Sequence, residues 1–141
     1  MKTTFYTRLF ALVFAIVIST NVAAQKKDYT KELDLIFTSF QKMDYKTLEP
    51  LLDSDVKISD KIPTGMNDIV IPQVLVQLPI PSSYTTLSKE TIGTSTKITT
   101  EYSYPSGKKR LQFFTFNQEG KVIELDILRD ATKVEAEYRS K

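Results

Sequence analysis

Carboxylates, tyrosines, lysines and aliphatic hydroxyls must carry whatever chemistry this chain performs, because its 141 residues include no His and no Cys. Without imidazole there is no Ser-His-Asp triad, no His general base and no imidazole metal ligand. Without a thiolate there is no Cys nucleophile and no Cys-built zinc or iron–sulfur site. Oxygen ligands for a hard cation are still available, but the nearest approach to an acidic loop is Asp53, Ser54 and Asp55, which reads as a short polar loop between elements. The glycines Gly65, Gly93, Gly107 and Gly120 are widely scattered, so no phosphate-cradling loop forms, and each marks a turn. Neither a metal nor a cofactor is expected. Lys108, Lys109 and Arg110 make up the one basic cluster, beside a turn; three charges could steer an anion, but a solvated role is the default.

These groups must be positioned by a set of elements whose periods change along the chain. Leu33, Ile36, Phe37 and Phe40 fall at i, i+3, i+4 and i+7, which predicts an amphipathic helix from about Asp28 to Met43 capped by Asp28 or Thr30. Asp44 offers a second N-cap, and Leu48, Leu51 and Leu52 form a short apolar stripe whose regularity Pro50 limits. Val56 and Ile58 alternate with Lys57 and Ser59 as in a half-buried strand. The segment 69–80 fits a helix or a strand; we read a helix, with Pro72 at its first position and Pro79 ending it.

From Tyr84 onward the period is two. A strand over Tyr84 to Lys89 leads into one that carries Ile98, Thr100, Tyr102 and Tyr104 on one face and Lys97, Thr99, Glu101 and Ser103 on the other. Pro105 to Lys108 turns the chain into a strand where Leu111 and Phe113 oppose Phe114 and Phe116, and Asn117 to Gly120 turns it again into Ile123, Leu125 and Ile127. Helices first and a meander second predict an α+β domain, with N-terminal helices packed on a curved antiparallel sheet. By strict alternation Ile123, Leu125 and Ile127 face the core, so Glu124 and Asp126 point away, as does Glu101. If Leu111 and Phe113 face the core, then Phe114 and Phe116 lie on the outer sheet face with Gln112, Val122 and Leu128. An apolar patch there favours a homodimer.

The first 24 residues have a different origin. Met1, Lys2 and Arg8 precede the apolar run Leu9 to Ile18, and Val22-Ala23-Ala24 precedes Gln25, the layout of a cleaved export signal. Ten apolar residues span about 15 Å as a helix, roughly half a bilayer core, so a membrane anchor is disfavoured. Removing residues 1–24 leaves 117 of the 141, a single domain over 25–141 with a possible tail over 129–141. Lys2 and Arg8 leave with the signal, so 17 basic residues face 17 acidic ones. A periplasmic or extracellular product follows, with no nucleic-acid partner and no membrane association after cleavage.

The run Ile36 to Ile58 (IFTSFQKMDYKTLEPLLDSDVKI) resembles the opening of the nuclear-transport-factor-2-like superfamily, which includes the ketosteroid-isomerase and SnoaL-like proteins. Phe114 to Leu128 (FTFNQEGKVIELDIL) is similar to its closing strands. The resemblance implies a conical fold with a cavity between helices and sheet, often dimeric through the outer sheet face. It specifies fold rather than function. Enzymes of the superfamily project an acid, Tyr or His into the cavity. Here the polar groups expected to face inward are Thr100, Tyr102, Tyr104 and Thr115, with Tyr45 and Asp68 near the rim. A non-catalytic exported module that binds a small apolar molecule or a protein is the leading expectation. The alternatives are a cofactor-free isomerase, dehydratase or hydrolase using Asp68 or Asp126 with Tyr45 or Tyr102, and an accessory domain of an exported hydrolase system.

Overall fold

A computed structural model describes residues 27–60 and 62–125. The expected export signal, the possible tail, Asp126, Ile127 and Leu128 lie outside the described residues. Among the described residues no helix is long and apolar enough to cross a membrane.

The apolar stripe forms helix α1 (Thr30–Lys42), which buries Leu33, Ile36 and Phe40. Its N-cap is Tyr29, whose carbonyl accepts the first helical bond from Leu33 at 2.9 Å, and not Asp28 or Thr30 as expected, Asp28 standing one residue further out. The Asp28 carboxylate accepts from the Thr30 N–H at 3.0 Å and the Thr30 hydroxyl at 2.7 Å, satisfying an orphan donor of the first turn. Met43 ends the helix in the left-handed region at φ 51°, and the Asp44 N–H reaches back to the Ser39 carbonyl at 3.0 Å. Asp44 then caps α2 (Tyr45–Leu48), accepting from the Lys46 N–H at 3.1 Å and the Thr47 hydroxyl at 2.6 Å. Pro50 opens the 3₁₀ turn Glu49–Leu51, where its missing N–H breaks no established bond.

Strand β1 (Leu52–Lys57) begins earlier than the alternation of Val56 and Ile58 predicts. Asp53, Ser54 and Asp55 are therefore a bulge inside this strand, not a loop before it. The register against β5 runs Leu52 to Val122 and Lys57 to Glu124, and Asp53 accepts from the Asp55 N–H at 3.0 Å across the irregular stretch. Helix α3 (Asn67–Leu75) agrees with the helical reading of 69–80 but not with its bounds. Ile71 and Leu75, one turn apart, are buried and fix it as a helix. Pro72 consequently falls inside, at the cost of the bond its N–H would make to the Asp68 carbonyl, and the helix stops well before Pro79.

The meander consists of β2 (Ser83–Ile92), β3 (Ser95–Ser103), β4 (Lys109–Phe116) and β5 (Val122–Leu125). The sheet order is β1-β5-β4-β3-β2, antiparallel except where β1 lies parallel to β5, so one edge departs from the all-antiparallel sheet expected. The α+β class is as read from the sequence. Tyr29, just before α1, stacks on Phe116 at 4.5 Å and ties the chain entering the helix to the sheet.

Which face of the sheet is dry differs from expectation in one strand. Phe114 and Phe116 are fully buried, whereas Leu111 and Phe113 are only half-buried. The cause is register. Ile98 opposes Phe114 and Tyr102 opposes Arg110, and directly opposed residues share a face, so the inward Ile98 and Tyr102 carry the even-numbered residues of β4 inward with them. On β5 strict alternation also fails. Leu125 opposes Phe114 and Val122 opposes Phe116, leaving Ile123 as an extra, half-buried residue in a bulge. Val122 and Leu125 thus share the core face, while Glu124, opposite Thr115, stays exposed as alternation from Leu125 demands.

Candidate functional site

The hydroxyls between α1 and the sheet fall into two groups. Small ones are consumed by nearby backbone: Ser39 donates to the Leu35 carbonyl at 2.8 Å, and Thr100 donates to the Gln112 carbonyl at 3.1 Å. Thr100 is buried as expected but offers nothing to a ligand. Tyr102 behaves differently. Only 2 % of its surface is exposed, yet among the described residues no hydrogen bond reaches its hydroxyl. No fully buried side-chain oxygen or nitrogen there lacks a partner, so this oxygen must border accessible space.

The surroundings of that oxygen are aromatic. The Tyr102 ring meets Phe37 edge-on at 5.6 Å and Phe40 edge-on at 5.8 Å, both from α1. Tyr84, opposite Tyr102 on β2, lies 6.0 Å away and also contacts Phe37 at 5.1 Å. Its hydroxyl donates to Asp34 at 2.6 Å, pinning the edge of the sheet to α1. Tyr104, half-buried at the start of the next turn, has the Arg110 guanidinium 5.8 Å from its ring centre. Among the described residues Arg110 has no carboxylate within ion-pair distance, whereas its neighbour Lys109 pairs with Glu101 at 2.8 Å.

Electrostatics fixes the protonation of these phenols. Burial, and then the neighbouring phenols of Tyr104 and Tyr84, holds the Tyr102 hydroxyl well above the ordinary tyrosine range. Burial also raises Tyr84, helped by Asp34, and raises Tyr104, against the pull of Arg110. All three are therefore neutral at physiological pH and act as hydrogen-bond donors or acceptors. No carboxylate is buried among the described residues, and the one that meets these phenols, Asp34, is exposed and accepts from Tyr84.

The remaining sequence candidates divide. Tyr45 and Asp68 do come together at the rim, the Tyr45 hydroxyl donating to Asp68 at 2.6 Å, with the Asn67 amide adding a weaker contact at 3.4 Å. This bond fastens α2 to α3; burial and then Asp68 push the Tyr45 phenol above its ordinary range. Thr115 does not face inward. It opposes Lys97 and Glu124 on the outer face, because its neighbours Phe114 and Phe116 take the core positions. For the same reason Phe114 and Phe116 cannot form an interface there, and the outer apolar side chains are Leu111 and Phe113, the latter under Lys97 at 4.6 Å. Tyr84 and Phe37 were not among the expected cavity residues, and Arg110 was weighed only within the basic cluster at the turn. Tyr84 opens the strand predicted to pair with the one bearing Tyr102, so pairing the two strands would have found it.

No family model and no curated protein matches this chain. Solved structures do. An NTF2-like protein of unknown function from Shewanella baltica OS155 is similar at 15% identity and TM-score 0.48, over 68% of this chain and 86% of that one. An NTF-2-like protein of unknown function from Burkholderia xenovorans LB400 is similar at 14% identity and TM-score 0.48, over 78% and 91%. A putative NTF2-like transpeptidase from Campylobacter jejuni is similar at 16% identity and TM-score 0.48, over 68% and 97%. These structures carry the same superfamily name as the resemblance read in the sequence, and that likeness concerns the fold alone.

Proposed function

We propose that this chain is a binding module which takes a small, largely apolar molecule at the opening bordered by Phe37, Tyr84, Tyr102 and Tyr104. The observation behind this reading is Tyr102, a residue only 2 % exposed whose hydroxyl borders accessible space without a protein partner among the described residues. In that space a ligand acceptor can replace water. Catalysis is the weaker reading, since the described carboxylates nearest the sheet are engaged or exposed: Asp34 accepts from Tyr84, Glu101 pairs with Lys109, and Glu124 faces solvent. Asp68 is exposed and accepts from Tyr45, which suits a fastener better than a base.

In keeping with the layout of residues 1–24, the module acts after export, in the periplasm or outside the cell. A homodimer through the outer sheet face would run over Leu111 and Phe113. Sedimentation of the full chain, compared with Phe113→Ser, tests that association.

The binding reading is tested by NMR titration of the full chain with a library of one- and two-ring compounds. Hits should perturb Phe37, Tyr84, Tyr102 and Tyr104 together. A library that binds nowhere, or clusters away from these rings, refutes it.

A further inference from the structure

We infer that the molecule taken at this opening is an aromatic or similarly flat anion, a carboxylate whose ring lies among the tyrosines and whose charge meets Arg110. The inference rests on the binding reading above and adds a charge to it. Three observations converge. Tyr102 and Arg110 are directly opposed in the β3–β4 register, so both project from the face of the sheet that packs on α1. The Arg110 guanidinium, on an exposed residue, is 5.8 Å from the Tyr104 ring centre, and no described carboxylate pairs with it. The Tyr102 phenol, kept neutral and lacking a protein partner, is a donor without an acceptor.

A donor hydroxyl and a guanidinium on one face both seek acceptor oxygens, and a carboxylate supplies two. Guanidinium recognises that group with paired N–H donors, and a phenol can add a third bond. The Phe37, Tyr84 and Tyr104 rings favour a flat apolar body beside that charge. Asp34, the acidic group facing the opening from α1, is occupied by the Tyr84 hydroxyl at 2.6 Å. Its negative charge sits at the Tyr84 hydroxyl and makes no ion pair with Arg110, which favours an orientation with the anion toward Arg110.

The test uses matched probes on the full chain: benzoate against benzamide, and 2-naphthoate against 2-naphthamide, titrated by NMR at low salt. Each carboxylate should bind at least about tenfold more tightly than its amide, the scale of a charge-assisted contact. Arg110→Gln, a change at an exposed side chain, should bring the carboxylate down to the amide's affinity and leave the amide unchanged. Tyr102→Phe should weaken both. Equal binding of acid and amide, or a preference that survives Arg110→Gln, overturns the anion inference and leaves the aromatic opening standing. If neither member of either pair binds, the inference fails and the underlying binding reading loses its ground with it.

Discussion

Replacing Tyr102 with Phe should stabilise the ligand-free protein, which is opposite to the usual sign for a buried tyrosine. A buried tyrosine hydroxyl normally makes a hydrogen bond, and its removal costs about 1 kcal/mol. Here the hydroxyl is withdrawn from bulk water, with the side chain 2 % exposed, and gains no protein partner among the described residues. An unsatisfied buried group costs about 1–3 kcal/mol, but this oxygen borders accessible space where water can reach it, so only part of that penalty applies and Tyr102→Phe should gain less than about 1 kcal/mol. The ring contacts with Phe37, Phe40 and Tyr84 are retained, so no cavity opens against the gain. For a domain of this size the gain corresponds to a rise in Tm of at most about 3–6 °C. Tyr84→Phe is the internal contrast. It removes a hydroxyl that donates to Asp34 at 2.6 Å at a partly exposed site, and should lose about 0.5–1 kcal/mol once solvent screening is allowed for. Urea melts of the two variants beside the parent read both signs at once. A Tyr102→Phe protein destabilised by 1 kcal/mol or more would mean that the hydroxyl has a partner, and the argument for a ligand acceptor would fail.

Phe114→Ala should cost about 3–5 kcal/mol while Phe113→Ala costs about 1 kcal/mol or less, because only the former is fully buried; reversed magnitudes in denaturant melts would restore the opposite register. Met43→Gly should stabilise by about 0.5–1 kcal/mol, since a residue with a side chain at φ 51° is replaced by one that adopts this conformation freely; circular-dichroism melts decide it. Asp28 and Asp44 are held below the ordinary carboxylate range, chiefly by the hydroxyls of Thr30 and Thr47, so the folded state binds protons less readily there than the unfolded chain. Their stabilisation is present above a pH of about 4 and lost as pH falls through their folded values, and the double variant Asp28→Ala/Asp44→Ala should show a shallower acid limb in urea midpoints. Tyr45, Tyr84, Tyr102 and Tyr104 are raised, each first by burial, so their contribution persists below a pH of about 10 and is lost as pH rises through the folded values. Spectrophotometric titration should find these phenols ionising only with unfolding.

The legible parts of the fold were those written locally. Leu33, Ile36 and Phe40 reveal α1 because a period of 3.6 repeats within a dozen residues, and Asp44 reveals α2 because a cap acts on the residue two positions on. Helix α3 was legible in kind but not in extent. Its boundary depends on burial of Ile71 and Leu75 against the rest of the chain, which outweighed the preference of Pro72 for a first turn. In LQFFTF the adjacent Phe113 and Phe114 satisfy either face equally, so the strand alone could not choose. The choice was nonetheless latent in the turn. Tyr104 and Lys108 close it through the Tyr104 N–H and Lys108 carbonyl, which pairs even-numbered positions of β3 with even-numbered positions of β4. Once Ile98 and Tyr102 are placed inward, Phe114 and Phe116 must follow.

The bulge at Ile123 has no comparable local signature, and it decides what the interior can do. By adding one residue opposite the Thr115–Phe116 step, it lets Val122 and Leu125, three positions apart, both meet core phenylalanines while Glu124 stays outside. The carboxylate was expected outside, but through unbroken alternation with Ile123 on the dry side. The observed route reaches the same exclusion with a different pair of aliphatic residues. Polar character inside the fold then falls to hydroxyls, and Ser39 and Thr100 are spent on backbone carbonyls. Tyr102 is held in place by four aromatic neighbours that constrain its ring and give its oxygen nothing to bond. Rigid placement of a donor that has no protein partner beside accessible space adds little to a core and is a favourable way to meet an acceptor arriving from outside.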